Sequence, residues 1–293
     1  MANHILRQVR QAVEQLNPND VRAQARRKIT VRLAARDQQG YETIERFLSP
    51  PRISAKQCIF RVDDPRMPDE SDIDIVESGM NPPADAFVFD SAATNTFVSQ
   101  VLTSKDELSL SLARTFPVFY GPVTDKIIAS VSKENAVFAI MTAIPSVAPG
   151  LSIPWAIPEA VSDTSVLTVN QLRMAFLLAA AADRPIGYGE QKAEVAGIIA
   201  GSFGFRALAR ELSGKIPFGG GIIPKAAIAY AGTWVEGRSL ERLYRTGQPF
   251  SRSERRIAYR EALARGREVA ASILDLWRKR KASPTEETAF AGD

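Results

Sequence analysis

At 293 residues the chain can hold two modest domains that each bury a core, and its apolar and charged fractions are those of an ordinary globular protein. One histidine, His4, and one cysteine, Cys58, exclude a conventional Ser-His-Asp triad, an intramolecular disulfide and any metal site of several Cys and His ligands. The net charge of +4 hides a polarity along the chain: eight bases against two acids in Met1 to Arg36, two against nine in Arg61 to Asp90, ten against four in Ser251 to Lys281.

No basic-then-apolar leader opens the chain, so export by a signal peptide is not expected, and a single thiol fits a reducing, cytoplasmic compartment. Asn3 to Leu16 reads as a basic amphipathic helix, with Ile5, Val9, Val13 and Leu16 on one side. Asn17-Pro18-Asn19-Asp20 breaks it, and Asn19 or Asp20 is expected to cap a short second helix through Arg27. Lys28 to Ala35 alternates apolar and polar residues as a half-buried strand does. Gly40 to Leu48 follows as a helix, and strands are expected at Gln57 to Val62, Ile73 to Glu77 and Ala86 to Asp90. This order indicates a small α/β layer over residues 1–92.

A phosphate-binding loop after the first strand would need G-x-x-x-x-G-K-[ST], whose amides and lysine hold the phosphates. The residues in that place are Ala35-Arg36-Asp37-Gln38-Gln39-Gly40-Tyr41-Glu42, without the first glycine, the lysine or the magnesium-binding hydroxyl. The layer is therefore either an unrelated α/β domain or a degenerate GTPase-like one, and neither version is expected to hydrolyse a nucleotide. Asp63-Asp64, Asp69-Glu70 and Asp72 with Asp74 suggest a cation site, but they lack calcium-loop spacing and its turn glycine. Solvated loop charge is the expected reading, and no metal or cofactor is assigned.

From Thr94 the pattern is helical, and residues 93–283 are expected to form a predominantly α-helical bundle, followed by a polar tail at 284–293. Thr94 to Leu102 and Lys105 to Thr115 are short helices, the second opened by Ser104 and Glu107 as a capping box. Pro117 and Pro122 mark a break, and Val123 to about Ala143 reads as a long helix. Asn135 to Pro158 carries no charge over 24 residues, the length of a membrane span, yet contains four prolines. Two arrangements fit: a buried connection between helices, or a membrane-dipping segment with Trp155 at the interface.

Three helices then follow: from about Asp163 to Ala182, from about Gly189 to Leu212, and from Pro224 to about Tyr244, stopped by Gly247 and Pro249. Gly197, Gly201 and Gly204 give the second a nearly bare strip suited to close helix packing, and Ala227, Ala231 and Thr233 give the third a similar face. Asn170, Gln171, Arg173, Gln191 and Glu194 are the polar residues from which an enzyme site in this half would be built. The last helix, Ser251 to about Lys281, has Ile257, Leu263, Val269, Ile273, Leu276 and Trp277 as apolar members and ends Arg278-Lys279-Arg280-Lys281.

The run TVNQLRMAFLLAAAAD, then Gly187-Tyr188-Gly189-Glu190-Gln191-Lys192, then LARELSGKIPFGGGIIPKAAIAYAGT with Gly237 resembles the bacterial domain of unknown function 697. That family includes YcjF-like proteins and the C-terminal segments of some bacterial GTPases, and the resemblance spans about Ser104 to Gly247. It implies a helical module, often membrane-associated, with a GTPase as a partner and no agreed catalytic residues. The expectation is a non-enzymatic helical protein, peripheral to or dipping into the inner membrane, or bound to a protein partner or to itself. Trp155, Trp277 and Arg278, Lys279, Arg280 and Lys281 are its candidate contacts, with anionic headgroups favoured over nucleic acid because no recognition motif accompanies the charge. The alternatives are an enzyme using the polar residues above and a degenerate GTPase-like protein.

Overall fold

The computed structural model describes residues 16–48, 57–143, 163–199 and 221–282. The expected helix over Asn3 to Leu16, with His4, lies almost wholly outside the described residues, as do Trp155, Gly201, Gly204 and the tail 284–293.

Helix α1 (Pro18–Arg26) begins two residues earlier than expected, because Pro18 suits a first helical position and Asn17 is the cap. The Asn17 side chain accepts the Asn19 amide at 3.0 Å, so neither Asn19 nor Asp20 caps it. Strand β1 (Val31–Ala34) leads through α2 (Gln38–Leu48) to β2 (Ile59–Arg61), and β3 (Ile73–Glu77) and β4 (Phe87–Phe89) complete a sheet of order β2-β1-β3-β4. All neighbours are parallel, with Val31 opposite both Ile59 and Ile73, and Ile75 opposite Phe87. Leu33, Ile44 and Leu48 are essentially unexposed where α2 meets the core. Burial of such aliphatic side chains contributes about 1.5–3 kcal/mol each.

The remainder is helical: α3 (Thr94–Ser104), a 3-10 turn (Asp106–Leu108), α4 (Ser109–Thr115), α5 (Pro117–Met141), α6 (Asp163–Ala181), a helical stretch at 192–199, α7 (Ile222–Thr246) and α8 (Arg252–Ala282). The protein is thus mixed α/β with a helical majority and a small parallel sheet. One apolar cluster runs from Val21 and Ile44 through Phe97 and Leu112 to Phe176 and Leu240. The change from strands to helices at 92/93 falls inside that shared cluster.

Several local expectations give way to tertiary contacts. The Ser104–Glu107 capping box does not form: Ser104 ends α3, and Asp106 instead accepts from Ser109 and Lys126. Pro117 opens α5 rather than breaking the chain, and Pro122 lies inside that helix on its exposed side. A capping box does form at α8, where the Ser251 amide donates to Glu254 at 2.8 Å and the Glu254 amide to Ser251 Oγ at 3.3 Å.

Of the Gly197, Gly201 and Gly204 strip only Gly197 is among the described residues, and the close helix packing described falls elsewhere. A Cβ on exposed Gly197 would meet nothing within 4 Å, whereas one on Gly237 of α7 would stand 2.9 Å from Ile128 of α5 and from Met174 of α6. On Gly266 of α8 it would stand 2.8 Å from the Ala227 carbonyl oxygen. The seam that seats α8 on α7 is Ala262, Gly266, Ala270 and Leu274, four residues apart, while Ile257 and Leu276 remain 51% and 60% exposed. Small residues set the close approach of α8 to its neighbour, and Leu263, Val269, Ile273 and Leu274 pack along its sides.

Candidate functional site

In an open parallel sheet a ligand sits beyond the carboxyl ends of the strands where the strand order reverses, here between β1 and β3. The first turn of α2 points its amides at that crevice, as a phosphate site requires. Two of the chain's own carboxylates are already there. Asp37 Oδ1 accepts the Gly40 amide at 2.8 Å, and Glu77 Oε2 accepts the Arg36 amide at 2.9 Å. A Cβ on Gly40 would stand 2.7 Å from that same Glu77 oxygen, so glycine is what lets the carboxylate come so close to the helix start. Arg36 closes the arrangement by donating to the Ser78 carbonyl at 2.9 Å. The amides that a phosphate would use are thus taken by the chain's own carboxylates, one of which is paired with Arg36 at 3.4 Å.

The acids of the following segment are solvated loop charge only in part: Asp63, Asp69 and Glu70 are exposed, whereas Asp72 and Asp74 are tied to the sheet, which corrects the expectation for those two. Asp72 Oδ2 accepts from the Thr30 amide at 2.8 Å and its hydroxyl at 3.0 Å, and Asp72 Oδ1 accepts from Arg27 at 3.1 Å. Asp74 lies in β3 and accepts from Arg32 on β1 and from Ser71. Burial pushes the Asp74 carboxyl up, but the bonds from Arg32 and Ser71 outweigh it and hold its pKa below the ordinary value. Asp64 is drawn down to about 2 by its hydrogen bonds to the Arg66 side chain and amide. Among the described residues no group of three or more acids, Cys or His could hold a metal ion.

The polar residues considered for catalysis separate into unconnected sets. Asn170 donates to Asn135 at 2.8 Å, Asn135 donates to Thr233 at 2.8 Å, and Gln171 donates to the same hydroxyl at 3.3 Å. These four sit buried where α5, α6 and α7 meet and use one another as partners. Arg173 pairs instead with Glu134. Gln191 belongs to a third set, donating to Tyr244 Oη at 2.6 Å and to the Ala175 carbonyl at 3.2 Å while accepting the Gly187 amide at 3.1 Å. Glu194 joins neither set by a hydrogen bond, although its charge helps raise the Tyr244 pKa, which burial pushes up most. Buried amides so paired fix helix register. They do not present a base or a nucleophile to a substrate.

A cleft of about 640 Å³ at the ends of α4, α6 and α7 contains Arg114, Arg184 and Arg245. Two of these three cations are engaged, while Arg245 is largely exposed and only 3.7 Å from Glu241 one turn away. Arg184 donates to the Tyr244 carbonyl at 3.0 and 2.8 Å, and Arg114 donates to Asp183 at 2.6 Å and to the Ala25 carbonyl at 3.3 Å. Both answer carbonyls that helix ends leave unpaired.

Basic charge without such partners is found on α8. Arg256, Arg260 and Arg267 are exposed and make no ion pair among the described residues, in contrast to Arg255, held by Glu236 at 2.8 Å, and Arg265, 4.8 Å over the Trp234 ring. At the far end Arg278 lies 3.5 Å from Asp275 with its side chain 73% exposed, Lys279 is exposed and Trp277 is half-buried. Arg280 and Lys281 continue the helix, their side chains outside the described residues. Asn135, Ala136, Phe138, Ala139 and Ile140, the described start of the uncharged stretch, are buried in the bundle, with Ala136, Ala139 and Ile140 packed beside α7 and α8. Among the described residues no helix is long and apolar enough to cross a membrane.

Compared with protein-family models, with curated proteins and with solved structures, the chain matches none.

Proposed function

We propose that the chain is a non-catalytic binding protein that attaches peripherally to an anionic membrane surface through the basic end of α8. The observation that supports it most is the contrast in charge engagement: carboxylates fill the phosphate position at the sheet and carbonyls take up two arginines of the helix-end cleft, while α8 keeps exposed cations. Near such a surface each basic residue contributes about 1 kcal/mol. Because the small-residue seam of α8 is consumed against α7, attachment rests on charge and the Trp277 edge rather than on deep insertion. The resemblance to domain of unknown function 697 adds a GTPase as the protein partner, and it supports an inner-membrane, cytoplasmic-side location.

Liposome sedimentation tests this reading. Binding is expected with anionic but not neutral vesicles, and it should fall as salt rises from about 0.1 M to about 1 M, where the Debye length shrinks from about 10 Å to about 3 Å. Neutralising Arg278, Lys279, Arg280 and Lys281 together should reduce it. Binding that survives high salt and yields only to detergent would mean that the 135–158 stretch enters the bilayer. No sedimentation with either vesicle would leave a partner-binding bundle with no lipid role.

A further inference from the structure

We infer that the outward face of α8 is a self-association surface on which two copies of this chain pair with their α8 helices parallel. Glu254, Glu261, Glu268 and Asp275 recur every seven residues along α8, and Arg260 and Arg267 stand immediately before two of them. Ile257, Ala264 and Ala271 repeat at the same interval between these rows. Seven residues are close to two helical turns, so each row stays on one side of the helix, drifting by only about 20° per repeat. The seam facing α7 lies on the other side, at Ala262, Gly266 and Ala270. Ile257, Arg260, Glu261, Ala264, Arg267 and Glu268 are all exposed.

The outward face therefore has a narrow apolar line with an acidic flank on one side and a basic flank on the other. Glu254 is committed to Arg242 at 2.6 Å and Asp275 lies near Arg278, which leaves Arg260, Glu261, Arg267 and Glu268 as the unengaged charges. The arrangement selects its occupant. A lipid surface of one sign is attracted by the arginines and repelled by the glutamates between them. When two copies pair about a two-fold axis parallel to the helices, the basic flank of each meets the acidic flank of the other. Turning one copy end for end sets like charge against like. A two-fold pair uses the same patch twice, so this self-complementary pattern fits a second copy of the chain. Alanine at the centre permits close approach of the two backbones. The 31-residue helix, about 46 Å long, then brings both basic C-terminal ends out side by side.

Analytical ultracentrifugation of the full chain from about 1 to about 200 µM tests the pairing, because a narrow apolar line flanked by a few charges supports a weak association. A monomer–dimer equilibrium is expected for the native sequence. Glu261→Arg with Glu268→Arg, and separately Arg260→Glu with Arg267→Glu, should each raise the dissociation constant by about tenfold or more, since every altered pair occurs twice. Mixing the two variants in equal amounts should restore dimer, which also shows that both are folded. With Cys58→Ser as background, Ile257→Cys and, in a separate variant, Ala264→Cys should each give a disulfide-linked dimer on mild oxidation, as a parallel, in-register pair brings both positions opposite themselves whereas an antiparallel pair can do so at only one. A native chain that stays monomeric throughout, charge-reversed variants that pair as well as the native chain, or a mixture that fails to pair would each overturn the inference.

Discussion

The carboxyl edge of the sheet and the outer face of α8 are both crowded with charge, and they differ in where that charge goes. At the sheet, Asp37 and Glu77 take helix and loop amides, and Asp72 and Asp74 take Thr30, Arg27 and Arg32 from across the strands. On α8, Arg256, Arg260, Arg267, Glu261 and Glu268 face outward without ion-pair partners among the described residues. A site of recognition needs charge that the fold has not already neutralised, and of the two regions it is α8 that keeps such charge of both signs.

That comparison depends on α8 being seated on α7, and the largest effect is expected from unseating it. Gly266→Leu should destabilise the protein by about 3 kcal/mol, the upper end for overpacking, because the Ala227 carbonyl oxygen at 2.8 Å and Cα at 3.1 Å are backbone atoms that cannot rotate away. Gly197→Ala should instead leave stability unchanged or raise it by up to about 1 kcal/mol, since its Cβ would meet open space within a helix. Urea denaturation of both variants checks the pair. Equal effects would mean that the 197 strip, and not the 262–274 seam, is the tight contact.

A smaller effect is expected at the sheet. Glu77→Ala removes the acceptor of the Arg36 amide and should cost about 1 kcal/mol, as loss of a capping oxygen does. Titration calorimetry with ATP or GTP and magnesium should detect no binding before or after the change, because no lysine or magnesium-binding hydroxyl stands in the loop. Micromolar binding gained by the variant would show instead that Glu77 plugs a working nucleotide site, and the contrast between the two regions would collapse.

Where partners lie near in sequence, the residues announced the structure. Strand β3 occupies the residues expected, and α7 stops at Gly247, whose φ of 80° suits glycine. The missing phosphate-loop residues were legible in the same way. What replaced them was not, because Glu77 reaches Arg36 from 41 residues away. The same distance hid the partners of Asp72 and Asp74, which looked like loop charge until β1 and β3 were set side by side. The α8 contact was legible in part, since Leu263, Val269 and Ile273 pack against the clusters, while Gly266 and Ala270 were missed because hydrophobicity favours Ile257 and Leu276 and close backbone approach favours small residues. Ser104–Glu107 and Ser251–Glu254 carry one capping template; only the second forms, since Ser104 is still inside α3. The Asn135–Asn170–Thr233 set could not be read at all, as it draws one residue from each of three helices.

The smallest effect is expected from pH, whose alkaline arm reports chiefly on the helical part. In the helical part, burial pushes Tyr120, Tyr188 and Tyr259 up to about 12 and raises Tyr244 as well. A folded pKa raised above the unfolded one gives stability that is complete below about pH 10 and is lost as pH rises through the folded value. Asp74 in the sheet, and Asp106 and Glu254 in the helical part, have their folded pKa lowered, so their contributions are complete above about pH 4 and are lost as pH falls through the folded values. Stability from denaturant titrations should therefore be flat through the neutral range, decline from about pH 10 upward and decline again below about pH 4. The two arms are assigned by substitution. Asp74→Asn should flatten only part of the acid arm, and Tyr188→Phe, which gives up one hydrogen bond to the Leu16 carbonyl, should flatten only part of the alkaline arm. An alkaline arm unchanged by Tyr188→Phe would mean that this tyrosine ionises as freely when folded as when unfolded. The helical core around α6 would then be open to water at the point where Phe176 and Tyr188 meet edge to face.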